Sequence, residues 1–512
     1  MAETLTDLLA GHAADSPALL APGRPTLTFA GLGELACAVI GDLNALGIGR
    51  GDRVAIVLPN GPEMAAAFVT VAGAATTAPL NPAYRSDELD FYLSDLRAKA
   101  VIVAEDETGP AVDAARRHGA RVLRLVTSPD RPAGSFTLRP EGEAPAAAPA
   151  TPGVAGPDDV ALVLHTSGTT SRPKIVPLLH RNLAASARHI RTTLALTPAD
   201  RCLNIMPLFH IHGLIAAVTT SLSAGASIWC SPGFNALRFF AWLEEARPTW
   251  YTAVPTMHQA ILARAERNPE ALANAKLRFI RSSSASLPPQ VMTALQAAFN
   301  APVIESYGMT EATHQMTSNP LPPAPRHAGS VGIAAGPMVR IADTEGRFLG
   351  AEAEGEVVIS GPNVTPGYEA NPSANASAFF EADGHRWFRT GDQGRLDAAG
   401  YLRITGRLKE IINRGGEKVS PLEVDEVLMD HPAVQQVVTF AMPHAKLGEE
   451  VAAAIVLREG MAAVEQELRD HCAGRLADFK VPRRIVILAE IPKGATGKLQ
   501  RIGLAQKLGL GG

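Results

Sequence analysis

Cysteine is scarce in this chain and follows no metal-binding pattern. Only Cys37, Cys202, Cys230 and Cys472 occur among 512 residues, and without a C-x-x-C spacing no two thiolates are set to grip one ion. They read as buried or free thiols of a reducing compartment. Positive charge is not in excess either: 47 Lys and Arg against 51 Asp and Glu leave a net charge of −4 and a pI near 6.4. That balance removes any global electrostatic reason to bind nucleic acid or an anionic membrane. The opening residues Met1-Ala2-Glu3-Thr4-Leu5 carry neither the basic segment nor the long apolar core of a secretory signal. The closing residues Leu508-Gly509-Leu510-Gly511-Gly512 are no peroxisomal address of the Ser-Lys-Leu kind. A cytoplasmic location is therefore expected. The most apolar stretch, residues 64–80, is rich in Ala and Thr and reads as one buried amphipathic helix rather than a membrane span. No internal repeat is present, which excludes a solenoid.

What is present suits a large globular enzyme: hydrophobic residues make up 46% and charged residues 19%, and the length fits about three domain-sized units. Short β-branched runs alternate with Ala- and Leu-rich helical patterns, the sign of α/β layering. Strands are expected at 53–58, 100–103 and 160–165, and helices at 87–96 and 109–118. Residues 127–156, a mixture of Pro, Ala, Gly and Glu, read as a surface connection. After Gly406 the charged segment Arg407-Leu408-Lys409-Glu410 opens a stretch with its own strand and helix alternation, and a domain boundary is expected there.

The segment His165-Thr166-Ser167-Gly168-Thr169-Thr170-Ser171-Arg172-Pro173-Lys174 gathers hydroxyls around a glycine and adds two cations. Backbone amides of such a turn converge on an anion, hydroxyls donate further hydrogen bonds, and Lys174 supplies charge, a combination suited to polyphosphate. A Walker A loop is excluded, because neither its second glycine nor the residue after the lysine fits. Taken alone, the segment would equally suit a surface turn.

It is followed in order by Pro207-Leu208-Phe209-His210, Glu305-Ser306-Tyr307-Gly308-Met309-Thr310-Glu311, Tyr368, Thr390-Gly391-Asp392, Gly406-Arg407-Leu408-Lys409-Glu410, Gly415-Gly416-Glu417-Lys418 and Gly497-Lys498. With these, nearly the whole chain resembles the adenylate-forming superfamily of acyl-CoA synthetases, peptide-synthetase adenylation domains and luciferases. The resemblance implies an α/β fold with a large amino-terminal domain of layered subdomains, residues 1–406, and a small mobile α+β domain, residues 407–512. It implies activation of a small carboxylic acid by ATP as an acyl-adenylate, then transfer to coenzyme A. By the same resemblance, Thr166, Ser167, Gly168, Thr169, Thr170 and Lys174 hold the ATP phosphates, and Glu311 ligates Mg²⁺. Ala285, Tyr307, Gly308 and Thr310 border the nucleotide, while Asp392 and Arg407 clamp its ribose. Lys498 is the catalytic cation, Lys409 the hinge, and Gly415 and Gly416 line the coenzyme A entrance. One position departs from the pattern: the loop usually continues Pro-Lys-Gly, and here Ile175 follows Lys174. A β-branched residue does not readily take positive φ, so a repositioned loop is expected if that glycine normally does so.

The acid itself must be read from His210-Ile211-His212, Ser282-Ser283-Ser284-Ala285-Ser286 and Glu311-Ala312-Thr313-His314. Histidine and hydroxyl groups buried against an alkyl tail would be left unpaired at about 1–3 kcal/mol each, which favours a short acid with a polar far end. These runs are similar to those of oxalate–CoA ligases, in which Ser284, His314 and one of His210 and His212 would hold the distal carboxylate, with His210 also a gate between the two half-reactions. Ligation of malonate, a fatty acid or 4-coumarate stays open, as does a nucleotide-binding protein without thioester activity. Malonate would favour a pocket arginine for bidentate pairing. Runs 209–213 and 309–314 contain none, and Arg281 beside the serines is a weak counter-candidate.

Overall fold

The computed structural model describes residues 3–142, 148–166, 173–492 and 499–510. Strands Arg121–Val126, Ala100–Ala104, Arg53–Val57, Thr76–Pro79 and Val160–Thr166 lie side by side and parallel at the centre of a seven-stranded sheet. Val54, Ala55, Ile56, Val101, Ile102 and Val103 are all buried, as expected of parallel strands covered on both faces. Antiparallel strands Thr137–Pro140 and Lys174–Leu179 close its two edges. A nine-stranded sheet is built around parallel Ser227–Cys230, Arg201–Asn204, Trp250–Ala253, Phe279–Ser282 and Val303–Met309. Its chain then turns back as antiparallel His314–Ser318. One core joins the facing sides of both sheets through helices Phe29–Ala45, Pro62–Val71 and His180–Thr193.

A five-stranded antiparallel sheet, Met338–Ala342 through Leu402–Arg407, completes the large amino-terminal domain. From Ile412 onward the strands form a further sheet, with Gly448–Leu457 between Val434–His444 and Arg484–Ile487. Ile412, Val424, Leu428, Val451 and Ile455 pack in a core with no residue from earlier in the chain. The architecture is thus α/β in a large amino-terminal domain and α+β in a smaller carboxy-terminal one. Among the described residues no helix is long and apolar enough to cross a membrane, and the four cysteines are free, three of them buried and Cys37 exposed.

Two expectations are corrected. Residues 64–80 are not one helix: Pro62–Val71 is helical and buried all round, and Thr76–Pro79 is a central strand. The chain breaks between them at Gly73, where an added Cβ would stand 3.1 Å from Ile40, and Thr76 and Thr77 then take the extended form that β-branched residues prefer. The 127–156 connection is no mere surface loop, since it contributes the edge strand Thr137–Pro140 and buries Ala133 and Phe136.

Loops at the carboxyl ends of the parallel strands of the nine-stranded sheet carry the candidate site, the usual place for ligands in such sheets. Beneath them lies Glu305, 1% exposed. Its Oε1 accepts the Leu287 N–H at 2.8 Å, and its Oε2 has no hydrogen-bond partner among the described residues. Burial pushes its carboxyl up to about 8. The folded chain therefore holds a proton that the unfolded chain releases in the ordinary carboxylate range. This contribution to stability is whole below that range and is lost as pH rises through about 8, at up to roughly 1.4 kcal/mol per pH unit. Chemical denaturation of Glu305→Gln should show a shallower loss of stability between pH 5 and 8 than the wild type, and identical slopes would refute the assignment.

Candidate active site

The hairpin from Val303–Met309 into His314–Ser318 does the first positioning. Gly308 pairs with Gln315 where the register shifts, and a Cβ at Gly308 would stand 1.9 Å from the His314 carbonyl oxygen. Only glycine permits that approach, and it folds residues 310–313 into a tight turn. Thr313 and His314 sit at φ 48° and 90°, strain of roughly 1–3 kcal/mol each. The turn is held from outside: Asn363 Nδ2 donates to the carbonyls of Ala312 and Gln315 at 2.7 and 3.1 Å, and Thr313 Oγ1 donates to the Asn363 carbonyl at 2.7 Å.

Glu311 leaves this turn on one side, buried, and its Oε1 accepts the Tyr368 hydroxyl at 2.9 Å. The Lys174 Nζ lies 4.3 Å from the centre of the Tyr368 ring. Thr166 faces Lys174 across the strand pair that flanks the hydroxyl-rich loop. Ser167, Gly168, Thr169, Thr170 and Lys498 lie outside the described residues. Ile175 does not belong to the loop. It is extended, pairs with His165 and is buried in the core with Val163, so it never has to take positive φ and gives no reason for the loop to move.

Across the cleft both Asp392 oxygens are engaged: Tyr307 Oη donates to one, and Arg407 Nε donates to the other at 2.8 Å. The Asp392 charge outweighs desolvation and raises the Arg407 guanidinium above its ordinary value. Arg407 ends the strand Leu402–Arg407, and Lys409 follows in an exposed turn before Ile412–Arg414. Gly415 and Gly416, at φ 59° and 102°, form the two-residue connection to Glu417–Val419, a turn that needs positive φ at both positions.

The third group closes the far end. Residues 207–211 fold against a buried π-helix, His212–Thr219, where Gly213 leaves room for the Pro207 carbonyl that a Cβ would meet at 2.4 Å. The Thr219 and Thr220 hydroxyls donate to the carbonyls five residues back, each at 2.8 Å. The His212 Nδ1 stands 3.0 Å from Ser284 Oγ, and its Nε2 2.6 Å from Thr252 Oγ1. The His212 and His314 rings lie 4.9 Å apart, and half-buried His210 accepts the His212 backbone N–H at its Nδ1. Ser284, like His314, has positive φ, 74°. Ala285 follows on the exposed side of the same loop.

Behind both histidines lies a residue that the sequence reading set aside. Arg281, 0% exposed, reaches His212 Nε2, His314 Nδ1 and Gln315 Oε1 at 3.4, 3.5 and 3.3 Å. Its place beside the serine run was visible. Its direction, across the sheet toward two histidines far away in sequence, was not. Thr252, behind His212, and Tyr368, which orders Glu311, were likewise assigned no part.

Residues 8–369 match the AMP-binding enzyme family, and residues 423–498 match the AMP-binding enzyme C-terminal domain. The chain belongs to the AMP-binding enzyme family. It is similar to the oxalate–CoA ligase of Arabidopsis thaliana, at 45% identity with 98% of each chain covered. It is also similar to the oxalate–CoA ligase of Saccharomyces cerevisiae, at 40% identity over 89% of this chain and 87% of that one. Among solved structures, ATP-bound MatB from Rhodopseudomonas palustris superposes with a TM-score of 0.88 at 30% identity, covering 99% of both chains. This AMP-binding enzyme is an AMP-forming acid–CoA ligase with ATP, coenzyme A and a carboxylic acid as substrates, and Mg²⁺ is the general requirement of its family.

Glu311 fits a magnesium role, because Mg²⁺ is commonly bound by one or two carboxylates with substrate phosphates supplying further ligands. No group of three or more candidate metal ligands occurs among the described residues. Burial raises the Glu311 carboxyl above its ordinary value, more strongly than the Tyr368 hydroxyl and the nearby cations lower it. A carboxylate ligates only when deprotonated, so the KM for MgATP should rise as the pH falls through this raised pKa. Glu311→Gln should bind MgATP weakly with a flat pH profile, and an unchanged slope in that variant would remove Glu311 as the titrating group.

Proposed function

We propose that this enzyme joins oxalate to coenzyme A, giving oxalyl-CoA, AMP and diphosphate. The observation that carries this reading is the polar end wall, where buried His212 and His314 meet half-buried Ser284, the last two on left-handed backbone. An alkyl or aromatic tail gains no hydrogen bond from such a wall, whereas a second carboxylate accepts from it. The similarity to two oxalate–CoA ligases supports the same acid.

In the first half-reaction one oxalate oxygen attacks the α-phosphorus of ATP and the bond to diphosphate breaks. Thr166, Ser167, Gly168, Thr169, Thr170 and Lys174 hold the departing phosphates, Asp392 and Arg407 fix the ribose, and Tyr307, Gly308, Thr310 and Ala285 border the adenosine. Lys498 balances the charge that develops between carboxylate and phosphate, and Glu311 would hold Mg²⁺, which neutralises phosphate charge. Ser284 and His314 hold the distal carboxylate, and His212 orders Ser284 through its Nδ1. In the second half-reaction the chain beyond Lys409 swings about that residue relative to the large amino-terminal domain, Gly415 and Gly416 border the entering pantetheine, and His210 gates the thiol. The coenzyme A sulfur then attacks the acyl carbon and AMP leaves. The reaction needs no macromolecular partner, neither nucleic acid nor membrane, and a cytoplasmic setting fits it.

Diphosphate release with ATP and Mg²⁺ should be far faster with oxalate than with malonate, acetate, hexanoate or 4-coumarate, and should turn over continuously only with coenzyme A. A win for another acid would overturn the substrate while leaving the ligase chemistry. Lys498→Ala should lower adenylation by about three orders of magnitude with ATP binding retained, whereas His314→Ala should raise the KM for the acid more than that for ATP. Normal adenylation by Lys498→Ala would remove Lys498 from the mechanism.

A further inference from the structure

We propose that Arg281 is a positioning residue that sets acid specificity: its buried guanidinium fixes the tautomers of His212 and His314, so that the end wall presents hydrogens to an anionic acyl group. The inference rests on the reading of that wall as the distal-carboxylate site.

Guanidinium only donates hydrogen bonds and has no lone pair to offer. Where Arg281 Nη1 approaches His212 Nε2, that nitrogen must therefore present its lone pair. With that lone pair presented, the Thr252 hydroxyl 2.6 Å away acts as a donor to the same nitrogen. The ring hydrogen is thereby placed on Nδ1, where it is donated to Ser284 Oγ at 3.0 Å. Once Ser284 accepts from the histidine, its own hydrogen is turned outward from a half-buried side chain toward the cleft. The same holds at His314, whose Nδ1 faces Arg281 Nη2 and whose hydrogen is then carried by Nε2. Without the cation, His212 could equally donate from Nε2 to Thr252 and accept from Ser284, leaving the wall with a lone pair where a carboxylate needs a hydrogen.

Charge argues the same way. The polar partners of Arg281 are His212, His314 and Gln315, with no carboxylate among them, and its Nε has no hydrogen-bond partner among the described residues. Burial lowers the guanidinium to about 9, which still leaves it charged at neutral pH. A fully buried cation with no counter-ion among the described residues favours an anion at the nearest open position. The part-exposed members of the wall are Ser284 and His210, and the anion is placed on their side of the two histidines. The arrangement thus selects for the charge of the distal group as well as for its hydrogen-bonding pattern.

Oxamate separates these effects, since it replaces the distal carboxylate of oxalate with an uncharged amide of nearly the same size. The wild type should prefer oxalate over oxamate by about a hundredfold in kcat/KM, and Arg281→Met should reduce that preference to about threefold or less, with little change in the KM for MgATP. A purely structural role would instead lower both acids alike and keep their ratio. Arg281→Lys, with charge but no planar fork, should keep part of the charge preference. Independently of any substrate, long-range ¹H–¹⁵N spectra of histidine-labelled wild type, assigned with His212→Gln, should show the His212 hydrogen on Nδ1. A hydrogen on Nε2, or an unchanged oxalate preference in either arginine variant, overturns the proposal, and Arg281→Lys with the wild-type spectrum decides should Arg281→Met fail to fold. If another acid beats oxalate in the wild type, the substrate reading fails while the spectrum still judges Arg281.

Discussion

Much of this site hangs on one backbone contact, the approach of the His314 carbonyl to the α-carbon of Gly308. It lets the strand carrying Tyr307 reverse within a few residues, so that Tyr307, Glu311 and His314 leave one short turn in three directions. Tyr307 meets Asp392, Glu311 meets Tyr368, and His314 meets Arg281. The proposed nucleotide, metal and acid positions are consequently fixed relative to one another by covalent geometry rather than by separate loops. The left-handed backbone at Thr313 and His314 is the cost, and the hydrogen bonds from Asn363 offset it.

Parallel strands were legible because their signal is local: runs such as Arg53-Val54-Ala55-Ile56-Val57 have no polar face to give to solvent. The helix and strand between Pro62 and Pro79 were merged because both are buried throughout, and a segment without a polar face has no periodicity to read. Thr137–Pro140 was missed because its neighbours are rich in proline and glycine, although an edge strand tolerates such surroundings.

For the candidate site, residue types pointed to the right chemistry wherever a motif is contiguous. What sequence withheld is depth. Arg281 reads only as a weak pocket candidate beside a run of serines, Ile175 looks like a misfit in a loop, and only the register of the sheets puts the first beneath two histidines and the second inside a core. Tyr368 shows the same limit, because nothing within its own segment announces that its hydroxyl will meet Glu311.

The π-helix His212–Thr219 has a consequence for how such pockets diversify. A π-turn is an α-turn with one residue added. Deleting a single residue from this segment restores the tighter winding, which leaves the flanking chain in register but re-aims the side chains of the widened turn, the His212 ring beside Ser284 among them. The polar wall and an open apolar channel are therefore separated by a change in chain length as well as by changes in side chain. Acid preference in this scaffold can switch abruptly through a one-residue indel, where point substitutions would have to rebuild the wall one group at a time.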